Sequence, residues 1–216
     1  LHNLSSIEEV QALWQEPGWA GMNVTVPYKK SIVPFLDGLA PSAEAVGAVN
    51  TVAFTSKGRI GHNTDAVGFK RSIAPFLEGH HQRALIMGTG GAAAAVRHVL
   101  EGIGVDVFMV SRTSGRFKTV TYGDISADGM KVTPLLVNCT PVGMHPEVDH
   151  LPPLSRAALD AIGPQHLVID LVYNPAQTRL LKHASSLGAR TLGGLSMLKF
   201  QAEAAWEIWE AEAAQH

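Results

Sequence analysis

The 216-residue sequence has a single cysteine, no excess of basic residues and no long apolar run, and each of these features excludes a class of protein. Its single cysteine, Cys139, rules out an intramolecular disulfide framework and fits a reducing, cytoplasmic compartment. Lys and Arg total 17 against 19 Asp and Glu, so no basic excess favours nucleic acid as a partner. No apolar run approaches the roughly 18 residues that span a bilayer, so we expect no membrane segment. The hydrophobic content of 46% predicts a globular protein rather than a disordered one.

The sequence also lacks the spacing of a metal site. Its ten histidines show no metal-ligand pattern, and the adjacent His80 and His81 are better explained as part of a linker. Cys139 lies in an apolar run without a nearby base, which favours a buried structural cysteine. We therefore expect no bound metal and no cysteine nucleophile.

The strongest local pattern lies in residues 83–113. An apolar run at 84–87 is followed at once by glycines, and then by an Ala-rich segment at 92–100 with high helix propensity. A second apolar run follows at 105–110. This order predicts a strand, a glycine turn, a helix and a second strand, which together form one βαβ unit.

The small residues of the turn, Gly88-x-Gly90-x-x-Ala93, each have a physical task. Gly88 permits the tight turn, Gly90 lets the backbone approach a pyrophosphate, and Ala93 lets the helix pack closely on the strand. The free N–H groups at the start of the helix suit an anion. A dinucleotide site is the favoured interpretation. The alternative is a small-residue turn that only packs a helix onto a sheet.

The end of the second strand bears on which dinucleotide binds. NAD sites usually carry an acidic residue there for the ribose 2′-hydroxyl. This chain has Ser111, Arg112 and Thr113 instead, with Arg116 close behind. A guanidinium group binds phosphate through two parallel hydrogen bonds, so we favour NADP over NAD. The alternative is that Arg112 is a solvated loop charge.

Helices and strands are predicted to alternate along most of the chain. Alternation over residues 84–192 favours an α/β fold with a doubly wound parallel sheet, and residues 1–77 form a separate α/β layer. We expect Pro27 to begin the second helix and Thr64 to cap the third. The predicted helices lie at 5–14, 28–33, 66–77, 92–100, 154–162, 178–187 and 195–214, and the predicted strands at 22–26, 48–54, 84–87, 105–110, 135–139, 167–171 and 190–192. A hairpin turn is expected at 57–58.

Polar residues fall where ligands bind in such folds. Asn138, Thr140, Asp170 and Tyr173 lie at the ends of predicted strands. Open α/β sheets bind ligands outside the carboxyl ends of their strands. We therefore expect these four side chains to face a cleft between the two layers.

The first layer holds candidate catalytic groups. Hydride transfer to or from an alcohol needs a proton donor and acceptor near the carbinol oxygen, and Lys29 and Asp65 in one pocket can supply both. Amides such as Asn50 and Gln201 would bind substrate hydroxyls. Each residue has a plainer alternative: solvent exposure for Lys29 and Gln201, a helix N-terminal charge for Asp65, and a turn for Asn50.

Motifs along nearly the whole chain, in their joint order, resemble those of the shikimate dehydrogenase family. They are GMNVTVPYK at 21–29, GAVNT at 47–51, GHNTD at 61–65, GTGGA at 88–92, NCTPVGM at 138–144, DLVYNP at 170–175 and GLSML at 194–198, followed by Gln201. The resemblance implies a substrate-binding domain over residues 1–78, a Rossmann NADP-binding domain over 79–193, and a C-terminal helix over 194–216 that returns to the substrate domain.

The resemblance also implies a role for each matching residue. Lys29 and Asp65 are implied as the catalytic pair. The implied substrate-binding residues are Thr25, Asn50, Tyr173 and Gln201. The implied cofactor-binding residues are Gly88, Thr89, Gly90, Gly91 and Ala92 for the pyrophosphate, Ser111, Arg112, Thr113 and Arg116 for the 2′-phosphate, and Thr140, Leu171, Gly194 and Met197 on the nicotinamide side.

Two features depart from the family pattern. The family normally starts with a strand, a helix and a Ser-x-Ser loop that bind the substrate carboxylate, and this sequence has none of them. We therefore expect an N-terminally truncated chain that lacks an edge strand and binds shikimate poorly. Ser196 stands where many relatives have glycine, which is expected to crowd the nicotinamide side slightly.

The implied activity is the reversible NADPH-dependent reduction of 3-dehydroshikimate to shikimate. Two alternatives remain at this point. One is a quinate/shikimate dehydrogenase that uses NAD, and the other is a non-catalytic nucleotide-binding regulatory module. The implied partner is a small-molecule substrate, and a homodimer is compatible with the sequence, which does not fix the oligomeric state.

Overall fold

The computed structural model describes residues 2–115 and 118–214. Within these residues the strands form two sheets. The first contains β1 (Gly21–Asn23), β2 (Gly38–Leu39), β3 (Thr51–Thr55) and β4 (Gly58–His62), in the order β1-β3-β4-β2. β3 and β4 are antiparallel partners, and Gly58 has a φ of +103° where the turn enters β4. The predicted hairpin is therefore confirmed, since a glycine accepts this left-handed backbone without strain.

α3 (Asp65–Ile73) follows β4 and packs toward the second sheet, whereas two short helices, α1 (Val10–Leu13) and α2 (Pro41–Val46), cover the first sheet. A small core of Val10, Ile32, Ala43, Val49 and Val52 lies between them and the strands. This core is separate from the cores of the second sheet, so the two layers each bury their own apolar residues.

The helix predicted at 28–33 is wrong. The backbone makes turns there, with a hydrogen bond from Ile32 N to Tyr28 O (3.0 Å), and then a 3₁₀ turn at Val33–Phe35. Pro34 lacks an N–H group, so it cannot extend a helical hydrogen-bond ladder. The turn instead leaves the Lys29 carbonyl to accept a hydrogen bond from Val49 N (2.7 Å), which ties this segment to the chain just before β3.

The second sheet contains six parallel strands within the described residues, in the order β10-β9-β8-β5-β6-β7. They are β5 (Arg83–Met87), β6 (Asp106–Ser111), β7 (Thr119–Thr121), β8 (Leu135–Asn138), β9 (Leu167–Asp170) and β10 (Arg190–Gly193). The chain winds one way from β5 and the other way from β8, so the switch point lies between these two strands. The predicted doubly wound α/β fold is confirmed.

Helices cover both faces of this parallel sheet. They are α4 (Gly91–Gly102), α5 (Ala127–Lys131), α6 (Arg156–Asp160) and α7 (Arg179–Ser186). One face is covered by α4 together with α3, and the other by α5, α6 and α7. Strands that are buried on both faces consist of nearly continuous apolar residues, as β8 and β9 do here. The prediction missed β7 and α5, which are short and contain few apolar residues.

The last helix, α8 (Leu195–Ala213), packs against α3. Gly68 permits this close contact, because a Cβ there would lie 2.8 Å from both Gln201 N and Met197 O. Trp209 Nε1 donates to Val52 O (3.0 Å), which fixes the far end of α8 on β3. No helix in the described parts of the chain has the length and apolarity that crossing a membrane requires.

A bidentate ion pair at the β2–β4 end of the first sheet gives a pH-dependent contribution to stability. Arg59 Nε and Nη2 donate to the two carboxylate oxygens of Asp37 (2.7 and 2.9 Å), and this lowers the pKa of Asp37 to about 2. Because the folded pKa is below the unfolded value, the pair stabilises the fold above about pH 4. That contribution is lost as the pH falls toward about 2.

Asp37→Asn should therefore lower the urea midpoint more at about pH 6 than near pH 2.5. The effect should be modest because both side chains are partly exposed. Urea unfolding at both pH values measures it, with Asp128→Asn, an exposed carboxylate, as the control. A difference from wild type that does not shrink on acidification would contradict this account.

Candidate active site

A lysine and an aspartate from two different segments meet beside the second sheet. Lys29 Nζ donates to Asp65 Oδ2 at 2.6 Å, and the side chains are 14% and 5% exposed. Asp65 is the first residue of α3, where the helix N-terminus favours a carboxylate. Gly91 permits the approach of Lys29 from the other side, because a Cβ there would lie 2.8 Å from Lys29 Cβ. The pair therefore lies directly against the glycine turn.

Asn50 holds this pair in place. Its Nδ2 donates to Thr64 Oγ1 (2.8 Å), Asp65 Oδ1 (3.2 Å) and Gln201 Oε1 (3.1 Å). Its Oδ1 accepts from Thr64 N (2.7 Å). These contacts connect the residue just before β3, the start of α3 and the last helix. Asn50 is therefore not a simple turn residue.

Thr64 is the N-cap residue of α3, but Asn63 makes the side-chain hydrogen bond that caps the helix. Asn63 Oδ1 accepts from Ala66 N (3.1 Å), whereas the Thr64 side chain makes no capping bond. The Thr64 hydroxyl oxygen instead accepts a hydrogen bond from the Asn50 amide. Thr64 therefore has the predicted N-cap position but makes no capping hydrogen bond, because its hydroxyl group is engaged in the tertiary contact with Asn50.

Asn50→Ala should lower the free energy of unfolding by about 1–3 kcal/mol, because it leaves the buried Thr64 N–H and an Asp65 oxygen without their partner. It should also lower kcat, since Asp65 loses a group that orients it. Urea unfolding and steady-state kinetics measure the two effects. Asn3→Ala, at an exposed position, is the control. Unchanged stability and unchanged kcat together would contradict this role for Asn50.

A cavity of about 290 Å³ opens above the Lys29–Asp65 pair. Every predicted substrate-binding residue lines it, and so do residues from the carboxyl ends of β1 and β9. Its lining includes Thr25, Asn50, Tyr173 and Gln201, together with Ala92, Leu171, Gly194 and Met197. The pair, the amides and part of the predicted nicotinamide side therefore share one cavity.

The glycine turn between β5 and α4 has the shape that a dinucleotide requires. Gly88 has a φ of +110°, and a Cβ there would lie 3.3 Å from Thr140 Cγ2. A Cβ built on Gly90 would meet no atom within 4 Å, so the backbone lies open at the start of α4. Open N–H groups at a helix N-terminus suit a pyrophosphate. The residues present therefore fit the predicted cofactor.

A second pocket of about 440 Å³ lies beside the end of β6. Ser111 and Thr113, which the resemblance assigns to the 2′-phosphate, line it together with Thr89, which the resemblance assigns to the pyrophosphate. Arg112 is exposed and lies outside the described lining of this pocket. Arg116 lies outside the described residues.

Sequence reasoning missed two cations of this pocket, Lys30 and Arg97. Lys30 directly follows Lys29, the last residue of the 21–29 motif, and this adjacency is the one sequence feature that draws attention to it. Arg97 lies on α4 beyond the glycine motif, and nothing in the local sequence distinguishes it from an ordinary exposed helical charge.

Asn138 and Asp170 do not face the cleft as expected. Both are fully buried, and Asn138 Nδ2 donates to Asp170 Oδ1 (2.9 Å) while Thr178 Oγ1 donates to Asp170 Oδ2 (2.6 Å). Burial raises the pKa of Asp170 despite these bonds. Burial also raises the pKa of the neighbouring Cys139 thiol well above its ordinary value, which disfavours a thiolate nucleophile. The hydrogen bonds that Asp170 accepts from Asn138 and Thr178 therefore join β9 to β8 and to the start of α7.

The described residues contain no group of three or more His, Cys, Asp or Glu side chains arranged to hold a metal ion. The ionisable pair in the cavity, Lys29 and Asp65, faces the glycine turn. A doubly wound sheet with this turn, and an acid–base pair set against it, defines an α/β dinucleotide-dependent oxidoreductase.

Comparison with known proteins specifies the family. Residues 2–52 match the family described as shikimate dehydrogenase substrate binding domain. Shikimate dehydrogenase (NADP(+)) of Desulforamulus reducens is 37% identical over 209 residues, which cover 88% of this chain and 71% of that protein. The chain belongs to the shikimate dehydrogenase family.

Solved structures agree with this assignment. Shikimate dehydrogenase 1 from Peptoclostridium difficile gives a TM-score of 0.82 at 32% identity, covering 95% of this chain and 76% of that one. Shikimate 5-dehydrogenase from Thermus thermophilus, solved in complex with NADP(H) and shikimate, gives 0.78 at 31% identity, covering 94% and 76%. That complex holds a small-molecule substrate and a nicotinamide cofactor in a similar fold.

Proposed function

We propose that this chain catalyses the reversible NADPH-dependent reduction of 3-dehydroshikimate to shikimate, with Lys29 and Asp65 as its catalytic pair. The observation that carries this proposal is the 2.6 Å contact between Lys29 Nζ and Asp65 Oδ2 at the base of the cavity, directly against Gly91. When bound, NADPH supplies the hydride, which adds to the carbonyl carbon of the substrate.

The proton of the reaction moves through Lys29. The Lys29 ammonium donates a proton to the carbonyl oxygen as that oxygen gains negative charge, and in the reverse direction the amine takes the hydroxyl proton. Asp65 accepts the hydrogen bond of Lys29 and balances its charge within a mostly buried pair. A preorganised donor of this kind stabilises the developing oxyanion without reorganisation of solvent.

The other predicted residues hold the substrate. Thr25, Asn50 and Gln201 bind its ring hydroxyls, and Tyr173 lies beside it at the cavity mouth. Support comes from the shared cavity and from the Asn50–Gln201 hydrogen bond, which aligns the two amides. A site built to hydrogen-bond hydroxyls rejects analogues that lack them, because its buried polar groups would lose their partners.

The residues that would hold the cofactor follow the carboxyl ends of strands in the parallel sheet. Gly88, Thr89, Gly90, Gly91 and Ala92 would hold the pyrophosphate, Ser111, Arg112, Thr113 and Arg116 would hold the adenosine 2′-phosphate, and Thr140, Leu171, Gly194 and Met197 would lie on the nicotinamide side. Support comes from the open backbone at Gly90 and from the hydroxyls at the end of β6.

The chain divides into a substrate-binding domain over residues 1–78, an NADP-binding domain over 79–193 and a returning helix over 194–216. The separate core of the first layer and the packing of α8 on α3 support this division. A cytoplasmic location and a homodimer belong to the same proposal. The single cysteine supports the location, and sedimentation velocity tests the dimer.

Absorbance of NADPH, formed from NADP and shikimate, tests the proposed function. Parallel reactions use quinate in place of shikimate and NAD in place of NADP. We expect the largest kcat/KM for shikimate with NADP. A larger value for quinate with NAD would support a quinate/shikimate dehydrogenase instead. NADP binding without turnover of either substrate would support a regulatory module.

A further inference from the structure

Two cationic side chains from outside the glycine motif line the pocket beside the end of β6. Among the described residues that line it, Lys30 and Arg97 are the charged ones, and none is acidic. The hydroxyl-bearing residues Ser111, Thr113 and Ser114 line the same space. Two cations with several hydroxyls in a pocket without lining carboxylates suit a phosphate dianion.

The two cations come from different layers of the fold. Arg97 lies on α4, where its Nε forms an ion pair with Glu101 Oε2 at 3.7 Å. Lys30 comes from the first layer, and its Nζ donates to the carbonyl oxygen of Thr89 in the glycine turn at 3.0 Å. The long lysine side chain therefore already crosses the cleft to the nucleotide side.

The position of the pocket distinguishes between the phosphates of a dinucleotide. The pyrophosphate belongs at the N-terminus of α4, where the Gly90 backbone is open. The ribose that carries the 2′-phosphate belongs at the end of the second strand of the unit, and Ser111 and Thr113 at that end line this pocket. The ribose that carries the 2′-phosphate therefore belongs in the pocket that Lys30 and Arg97 line.

We propose that Lys30 and Arg97 bind the 2′-phosphate of NADP and determine the preference of the chain for NADP over NAD. This inference rests on the proposed use of NADP, and it adds two residues to those implied by the motif. One of them, Lys30, reaches the cofactor from the substrate-binding side of the cleft. NADP selection then depends on both layers being in contact.

Binding of nucleotide fragments tests this proposal without any turnover. Isothermal titration calorimetry compares adenosine 2′,5′-bisphosphate with 5′-AMP on the wild-type chain, Lys30→Met, Arg97→Met and the double variant. Lys57→Met, at an exposed position in the β3–β4 turn, is the matched control. We expect each single substitution to weaken bisphosphate binding roughly tenfold, as for a charged hydrogen bond, while 5′-AMP binding changes little. The conservative Lys30→Arg should retain most of the bisphosphate affinity.

Equal weakening of both fragments would overturn the proposal, because it would locate the two cations at the 5′-phosphate. An unchanged preference for the bisphosphate in the double variant would also overturn it. The outcome is separable from the proposed function. Wild type that selects the bisphosphate but does not oxidise shikimate refutes the activity alone, whereas variants that oxidise shikimate with unaltered NADP preference refute the role of these two residues alone.

Discussion

Lys29→Met is expected to lower kcat for shikimate oxidation by roughly 10²–10⁴-fold, the range that a positioned acid–base group contributes. Methionine approximates the length of the lysine stem but carries no proton to exchange. Binding of adenosine 2′,5′-bisphosphate should change little, because the Lys29 ammonium group is paired with Asp65 and the aliphatic stem lies against Gly91. Stopped-flow or steady-state absorbance of NADPH measures the rate, and calorimetry measures the binding.

The substitution leaves Asp65 buried without its cation, so folding must be measured as well. The double variant Lys29→Met/Asp65→Asn removes that unpaired charge and should recover thermal stability while remaining inactive. Lys57→Met is the control for loss of a lysine in general. Recovery of activity in the double variant, or a less than tenfold loss in the single one, would contradict a catalytic role for Lys29.

Gly194→Ala is expected to destabilise the chain by about 1–3 kcal/mol or more, since a Cβ at this position would overlap the carbonyl oxygen of Leu171. Backbone stands on both sides of this contact, so no side chain can rotate away to relieve it. For a chain of this size the cost corresponds to a fall in Tm of roughly 2–4 °C per kcal/mol. Differential scanning calorimetry measures the shift.

The same substitution should impair catalysis, because Leu171 and Gly194 both line the active-site cavity. Gly102→Ala is the matched control: it lies at the end of α4, and a Cβ there would meet no atom within 4 Å. That variant should be neutral or slightly more stable. If Gly194→Ala and Gly102→Ala have equal Tm values, the close approach of Gly194 to Leu171 is not a constraint on the fold.

The elements that the sequence predicted well are those with strong local periodicity. The strand–turn–helix–strand unit from β5 to β6 combines apolar runs with glycines at fixed spacing, and the structure has each part within a few residues. The long α8 likewise follows from its apolar spacing. In such segments local propensity and tertiary packing favour the same conformation.

The failures have particular causes. α2 (Pro41–Val46) is absent from the predicted helices. It begins with Pro41 at its first position and is followed by Gly47, which has a φ of +70°, so its signals are a proline start and a glycine end rather than apolar periodicity. Trp206 on α8 is 60% exposed although it shares the apolar spacing of a core residue. Asn138 and Asp170 are buried because β8 and β9 are adjacent strands and the two side chains bond each other across them. The order of strands in the sheet, which the sequence does not specify, determines this contact.

The candidate site was predictable only through its motifs. Spacing along the chain could not show that Lys29, Asp65 and Asn50 meet, since their contacts span different elements. Gln201 joins Asn50 from the far end of the chain for the same reason. The sequence did not indicate Lys30 and Arg97 as candidate binding residues, because only the folded structure shows that the two cations line one pocket.

Transfer of deuterium tests the central claim most directly. The chain is incubated with 3-dehydroshikimate and NADPH that carries deuterium at both hydrogens of nicotinamide C4, and the product is analysed by mass spectrometry. The account predicts shikimate that is heavier by one deuterium, formed rapidly by the wild-type chain and far more slowly by Lys29→Met. Unlabelled shikimate, or labelled shikimate formed equally fast by both proteins, would contradict it.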